Sequence, residues 1–424
     1  MPIIEKTKYS YNDLTIEPAV ISSIKSRKEC DPYEHMDVNM RDYLPLFTAP
    51  MSTIANEHNF NIWKKNKIMP MLPRNIGADP NGSIEKRISY IKDFLDNGDW
   101  VALSLKEFEY VFVEHKMMSP GQIFPGYNRT YRVCVDLANG HMECLYDTIN
   151  KAKEIARNNN YTNYTLIVMT GNIANPETYR WICKHAEVDY IRLSIGSGSN
   201  CITATQTSVY YPIASLIDEC KQIKNVYECK SYAKSTPYII ADGGVRGYAD
   251  VIKAIALGAD YVMIGSLFTG LLESAAPLDI ECYNSHYKYG YAEGIINDGI
   301  NNILNLWDGL EDEDDNDTLV PIDNKELEQK KKDFIKDMKD IVKESYGMST
   351  KKAQKLINPN AKSKTSEGCT KYIHVKETVK QWSDNMIDYF RSAMSYTNKK
   401  YINDFRGKVD LIINSSSAIL AVNK

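Results

Sequence analysis

The chain has 424 residues, with 51 Lys and Arg against 55 Asp and Glu and a formal net charge of -4, so no overall field draws it to nucleic acid or to an anionic membrane. Its 9 cysteines are scattered without a CxxC pair or a His/Cys ladder, which argues against zinc and against a disulfide framework and points to a reducing compartment. Met1 to Ser10 carries charges and no apolar core, and no segment approaches the ~18 apolar residues of a membrane span, so a cytoplasmic protein with no membrane partner is expected.

Short apolar or β-branched runs follow in order: Leu46 to Met51, Ile68 to Leu72, Trp100 to Leu105, Tyr131 to Leu137, Thr165 to Thr170, Asp189 to Ile195, Pro237 to Ala241 and Asp260 to Ile264. Amphipathic stretches such as Met142 to Arg157 and Tyr248 to Leu257 lie between them. Eight strands alternating with helices predict an α/β fold, a (β/α)8 TIM barrel, with a doubly wound open sheet as the alternative. Residues 1–424 read as a single catalytic barrel domain. After the eighth run, Tyr283 to Asn324 is rich in Asn, Asp and Tyr and includes the acidic run Glu311 to Asp317; low hydrophobicity and self-repelling charge make it a long insertion after strand 8. Lys325 to Glu344 then places Phe334, Ile335, Met338 and Ile341 at helical spacing, predicting a surface helix at the start of a C-terminal helical extension.

The strand ends carry the chemistry. Val188 to Leu193 runs into Ser194-Ile195-Gly196-Ser197-Gly198-Ser199-Asn200-Cys201-Ile202-Thr203, a strand ending in a glycine-interrupted, amide-rich loop with one cysteine near its tip. Cysteine in such a loop suits a nucleophile, which attacks as the thiolate, and Thr203 offers a hydroxyl for proton relay. A lone cysteine is more often inert apolar filler; the loop reverses that preference here. Asp242-Gly243-Gly244 ends the seventh run and Gly265-Ser266 the eighth. Loops after strands seven and eight of a barrel commonly hold phosphate on backbone amides, with Asp242 placed for ribose hydroxyls, although either loop alone would serve equally as a tight turn. Asp136-Leu137-Ala138-Asn139-Gly140-His141 ends the fourth run, where Asp136 and Asn139 would face a polar ligand at the barrel mouth or act only as cap and turn residues.

Together these residues resemble the IMP dehydrogenase/GMP reductase family, whose cysteine loop reads Gly-x-Gly-x-x-Cys-x-Thr. The similarity extends through Tyr11-Asn12-Asp13, Ala49-Pro50-Met51, Asp136 to Gly140, Gly171-Asn172, Asp242-Gly243-Gly244, Gly265-Ser266, Glu273 and Tyr346-Gly347-Met348-Ser349. Dehydrogenases of that family usually insert regulatory CBS modules after the second strand region and use an Arg-Tyr pair on a flap; Arg74 to Trp100 leaves no room for CBS modules, and no Arg-Tyr pair follows Cys201. Lys364-Thr365-Ser366-Glu367-Gly368 and Arg391-Ser392 followed by Tyr396 look like reductase segments.

The resemblance implies an NADPH-dependent GMP reductase that converts GMP to IMP and ammonia, with an IMP dehydrogenase lacking CBS modules and a catalytically inactive nucleotide-binding barrel as alternatives. It implies Cys201 attacking purine C2, with Thr203 and Glu367 protonating the departing amine. Met51, Ser199, Asp242, Gly243, Gly244, Gly265, Ser266, Tyr346, Gly347 and Met348 would hold the nucleotide, and Asp136, Asn139, Gly171 and Ser366 the NADPH. Carbonyls of Gly196, Gly198 and Cys201 would hold a monovalent metal cation, K+, and a homotetramer is expected. The chain departs from the family's pattern at Ser197 (usually proline), Ile202 (threonine), Ala204 (a basic residue), Ser208 and Tyr210 (glycines), and at Leu72-Pro73-Arg74-Asn75, where a histidine-rich segment is common.

Overall fold

The computed structural model describes residues 7–36, 41–114, 129–158, 164–230, 233–277, 341–357, 367–415 and 417–419. Eight strands form one parallel sheet: β1 (Leu46–Thr48), β2 (Met71–Leu72), β3 (Trp100–Leu103), β4 (Arg129–Val135), β5 (Tyr164–Ile173), β6 (Tyr190–Leu193), β7 (Tyr238–Asp242) and β8 (Tyr261–Ile264). Each pairs with its chain neighbour from β2 to β8, and β8 returns to β1 through Val262 opposite Leu46 and Ile264 opposite Thr48. Between the two ends of the sheet, Phe47 bridges Met69, with Thr48 N donating to Met69 O and Met69 N to Leu46 O, both at 3.0 Å. The sheet is therefore a closed (β/α)8 barrel, and each strand falls on one of the eight predicted runs.

Strands covered on both faces need apolar residues throughout rather than alternation, and every residue of β3, β6 and β8 is buried. Aromatic rings fill the end of the barrel where the strands begin. Trp100, Tyr190 and Tyr261 are the first residues of their strands; they meet Phe47 edge-on at centroid distances of 5.4 to 6.3 Å, and Tyr190 also meets Trp100 at 5.2 Å and Tyr261 at 5.7 Å. That plug leaves the opposite, C-terminal end of the strands for the site.

Helices Glu143–Asn158, Pro176–His185, Ile213–Glu228 and Tyr248–Ala256 cover the barrel. Their ends follow local chemistry: Pro176 occupies the first turn while the Asn175 side chain accepts Glu177 N at 2.9 Å, supplying an acceptor for an amide that the helix leaves unpaired. The expected C-terminal helix is Val379–Tyr396, capped reciprocally by Thr378 and Gln381. Its Trp382 stacks on Tyr248 at 5.3 Å and meets Phe268 edge-on at 4.7 Å, which docks it beside β8. No helix among the described residues is long and apolar enough to cross a membrane.

One expectation is corrected. The helix predicted over 325–344 lies outside the described residues up to 340, and its end is extended instead: β9 (Val342–Tyr346) pairs antiparallel with β10 (Thr370–His374), Val342 opposite His374 and Tyr346 opposite Thr370. Alternating Lys and Glu suggested helical charge pairing, but tertiary burial decides, since Lys343 and Ser345 are 3% and 0% exposed. The predicted insertion 283–324 also lies outside the described residues. The register of β9 with β10 brings residue 347 and residues 367–369 out at the same end, beside the barrel mouth.

Candidate active site

A cavity of about 350 Å³ opens at the C-terminal ends of the strands, lined from every strand end except that of β3. Concavity with a few convergent polar groups is what a small-molecule site requires. Met51 follows β1, Arg74 follows β2, Asp136 follows β4, Asn172 belongs to β5, and Cys201 lies in the loop after β6.

That loop is paired on its far side by the segment preceding β10. Cys201 bridges Gly368 antiparallel, Ile202 N donates to Glu367 O at 2.8 Å, and Cys369 N donates to Asn200 O at 2.9 Å. The pairing seats Glu367 over the start of the helix Thr203–Thr207. There Cys201 Sγ donates to Thr203 Oγ1 at 3.2 Å and Thr203 Oγ1 donates to Glu367 Oε2 at 2.6 Å. The distances make one continuous path along which a proton can pass from carboxyl to hydroxyl to a group held above the sulfur. Burial pushes the Cys134 and Cys183 thiols up to about 12. Cys201 lines the cavity.

The loops after β6, β7 and β8 close on one another. Gly243 has φ +127°, and a Cβ there would stand 2.5 Å from Ser197 Oγ, so glycine is needed for both the backbone angle and the approach. Ser197, the residue found in place of the usual proline, bonds Ser194 through its hydroxyl and accepts Gly244 N at its carbonyl at 3.2 Å. Ser199 Oγ bonds Ser266 Oγ. Gly198, Ser199, Gly243, Gly244, Gly265 and Ser266 of these loops line the cavity, together with Gly347 and Met348.

The other wall is ionic. Arg192, inside β6 and 3% exposed, donates from Nη2 to Asp136 Oδ1 and to Asn172 Oδ1, each at 2.8 Å, while its Nε stands 3.7 Å from Asp242 Oδ2. Asn172 Nδ2 in turn donates to Asp242 Oδ2 at 2.8 Å. Burial pushes the Asp242 carboxyl above its ordinary value; Arg192 and the Asn172 hydrogen bond pull it down, and Asp136 pushes it up. For Arg192 burial opposes the charge, yet the neighbouring Cys134, Asp136 and Asp242 more than offset it and its pKa rises. Two carboxylates are thereby kept side by side. The Arg74 guanidinium joins this wall, with Nη1 3.4 Å from Asp136 O and Nε buried with no acceptor among the described residues.

The model of the IMP dehydrogenase / GMP reductase domain matches residues 129–297. A GMP reductase of Shouchella clausii is 31% identical over 272 residues, 63% of this chain and 72% of that protein. GMP reductases of Bacillus cereus and Clostridium acetobutylicum are 32% and 31% identical, each over 63% of this chain and 72% of their own. The chain belongs to the IMP dehydrogenase/GMP reductase family.

Not every position carried over from the family reaches the cavity. Asn139 is exposed and accepts His141 N at 3.0 Å in a local turn. Gly171, φ +136°, lies under the site, where a Cβ would stand 2.6 Å from Arg192 O; its part is to let β5 and β6 approach so that Asn172 enters. Tyr346 is buried at 3% with the Lys352 ammonium 5.0 Å from its ring, and its successors Gly347 and Met348 line the cavity instead. Ser366 lies outside the described residues. The Gly198 carbonyl accepts Cys201 N at 2.9 Å, so a cation held there with Gly196 and Cys201 would share that oxygen. Among the described residues, no group of three or more His, Cys, Asp or Glu gathers as a metal site.

Arg192, Asn172, Arg74 and Asn200 line the cavity as well without having been assigned roles from sequence. A signal for Arg192 was present: a guanidinium in the middle of an apolar strand is expensive unless it is paired.

Proposed function

We propose that this protein is an NADPH-dependent GMP reductase, forming IMP and ammonia through a covalent bond between Cys201 and purine C2. The observation that carries the reading is the Cys201–Thr203–Glu367 hydrogen-bond path on the cavity wall. The Cys201 sulfur adds to C2, and Glu367 delivers a proton through Thr203 to the exocyclic amine, which leaves as ammonia. A nicotinamide cofactor would supply the hydride that replaces sulfur at C2, returning Cys201 to its starting state. Splitting the displacement into two steps avoids direct expulsion of a poor leaving group.

Gly243, Gly244, Gly265, Ser266 and Ser199 would present amides and hydroxyls to the 5′-phosphate. Asp242 would take the ribose, with Met51, Gly347 and Met348 about the base. Asp136 and Arg74 would hold the nicotinamide, because Arg74 Nε, without an acceptor among the described residues, is a donor that a carboxamide oxygen would satisfy. The same reading takes residues 1–424 as one cytoplasmic catalytic domain without CBS modules, carrying 283–324 as an insertion. It also takes the chain as a homotetramer and places K+ on the Gly196, Gly198 and Cys201 carbonyls.

Purified protein given GMP and NADPH should lose reduced-cofactor absorbance and yield IMP, identified by mass. Formation of NADH from IMP and NAD would overturn the reading in favour of a dehydrogenase, and GMP binding without turnover on either cofactor would favour a non-catalytic barrel.

A further inference from the structure

Asn200 precedes the cysteine and is 5% exposed. Its Nδ2 donates to Ser345 Oγ at 2.7 Å; Ser345 Oγ donates to Thr269 Oγ1 at 3.4 Å, and Thr269 and Thr53 share a hydroxyl contact at 3.4 Å. Ser345, Thr269 and Thr53 are each 0% exposed. These four side chains belong to four different segments facing the cavity. Thr53 follows Met51, Asn200 precedes Cys201, Thr269 ends the helix that Ser266 begins, and Ser345 lies two residues before Gly347. The Asn200 carbonyl meanwhile accepts Cys369 N at 2.9 Å, holding the strand that presents Glu367.

A polar chain sealed from water is strong when every member is satisfied, and it admits few alternative arrangements. The 2.7 Å Asn200–Ser345 bond ties the cysteine loop to β9, and the longer 3.4 Å hydroxyl contacts carry the link on to the segments after β8 and β1. We propose that Asn200 is a positioning residue, holding Cys201 in register with the nucleotide seat through the Ser345–Thr269–Thr53 chain and with Glu367 through its own carbonyl. The proposal rests on the reading of Cys201 as the nucleophile. It assigns Asn200 no contact with reacting atoms: its action is on where the sulfur stands.

The test uses the full-length protein with Asn200→Leu, which keeps side-chain volume, Ser345→Ala, and the double variant, each with its melting temperature. Because misplacement of a nucleophile by an ångström costs up to about 100-fold, Asn200→Leu is expected to lower kcat for GMP reduction at least about tenfold. The KM for GMP should change less than about threefold, and Ser345→Ala should add no further loss in the double variant. A purely structural role would instead lower the melting temperature and leave the kcat of the folded fraction within about twofold, and that result overturns the proposal. So does a double variant whose losses multiply.

Alkylation of Cys201 by iodoacetamide across pH, followed on its own peptide by mass spectrometry, gives a readout independent of turnover. If the wild type fails to reduce GMP, the reading of function falls, and the alkylation profile alone decides for Asn200. A shifted profile in Asn200→Leu and Ser345→Ala supports pinning of the thiol; an unchanged one sinks it. Should Asn200→Leu not fold, Ser345→Ala carries the same comparison.

Discussion

Thr203 Oγ1 donates to Glu367 Oε2 at 2.6 Å across 164 residues of chain. The contact follows from the β9–β10 register and from the backbone pairing of Ile202 N with Glu367 O, so it is a product of tertiary architecture and not of local sequence. As the last donor before the substrate, the pair should matter to bond cleavage more than to binding. Glu367→Gln keeps shape and removes the transferable proton, so kcat for GMP reduction should fall about 100-fold to 10,000-fold. GMP affinity by calorimetry should stay within about threefold. Thr203→Val should resemble it, and the double variant should be no worse than the poorer single, since the two residues act as one path. A Glu367→Gln enzyme at wild-type rate would remove the carboxyl from the reaction.

The fit of Gly243 against Ser197 gives a second prediction, about binding. Gly243→Ala meets both a φ of +127° and a hydroxyl 2.5 Å from the new Cβ, strain worth about 1–3 kcal/mol. It should therefore weaken GMP about tenfold or more in calorimetry, while guanosine, which lacks phosphate, should be affected less. Adding Ser197→Ala relieves the steric part and leaves the backbone part, so affinity should return only partway. Full recovery would mean that φ imposes nothing.

The barrel was legible because strands buried on both faces show as uninterrupted apolar runs; β3 and β8 are the clearest cases. The Thr203 and Glu367 pairing was legible only through the resemblance, since nothing local connects positions so far apart. Sequence misled where burial contradicts residue type. Lys343 reads as surface, but its ammonium is enclosed by Leu271 O, Leu272 O, Ser274 O and Ser274 Oγ at 2.6 to 3.2 Å, and burial pushes it down to about 7. That tether puts β9 where a helix was expected. Asn139 shows the turn role that its sequence also allowed: its side-chain oxygen accepts His141 N within its own turn, the commoner fate of Asn beside Gly.

Arg192 stands between two half-buried carboxylates, Asp136 after β4 and Asp242 at the end of β7, so its loss should be severe. Arg192→Met leaves Asp136 and Asp242 beside each other without the Arg192 guanidinium, and breaking such a buried set costs roughly 3–5 kcal/mol in urea unfolding. Arg192 lowers the Asp242 pKa, so removing it raises that pKa further above the unfolded value. A carboxyl raised on folding contributes stability below its unfolded pKa and loses it as pH rises through the folded one. The deficit of Arg192→Met should therefore be larger at neutral pH than in acid, and Asp136→Asn added to it should recover part of the loss. A deficit that stays flat with pH would show that the wall is not electrostatically coupled.

His141 ties the loop after β4 to the end of β5. Its Nε2 accepts Ala174 N at 3.1 Å, which leaves Nδ1 to donate to Thr178 Oγ1 at 2.9 Å, a pattern open only to the neutral ring. Desolvation lowers its pKa below the ordinary 6.5; part of the ring remains exposed, and the hydrogen-bond pattern points the same way independently. A histidine lowered on folding contributes stability above its unfolded pKa, and that contribution is lost as pH falls through the folded value. The difference in melting temperature between wild type and His141→Gln should thus be constant above about pH 6.5 and shrink in more acid solution. Protonation also frees the Ala174 amide two residues from Asn172, so GMP affinity should fall in that same acid window for the wild type and not for His141→Gln. An NMR titration of the His141 ring with its midpoint at or above 6.5 would overturn both expectations.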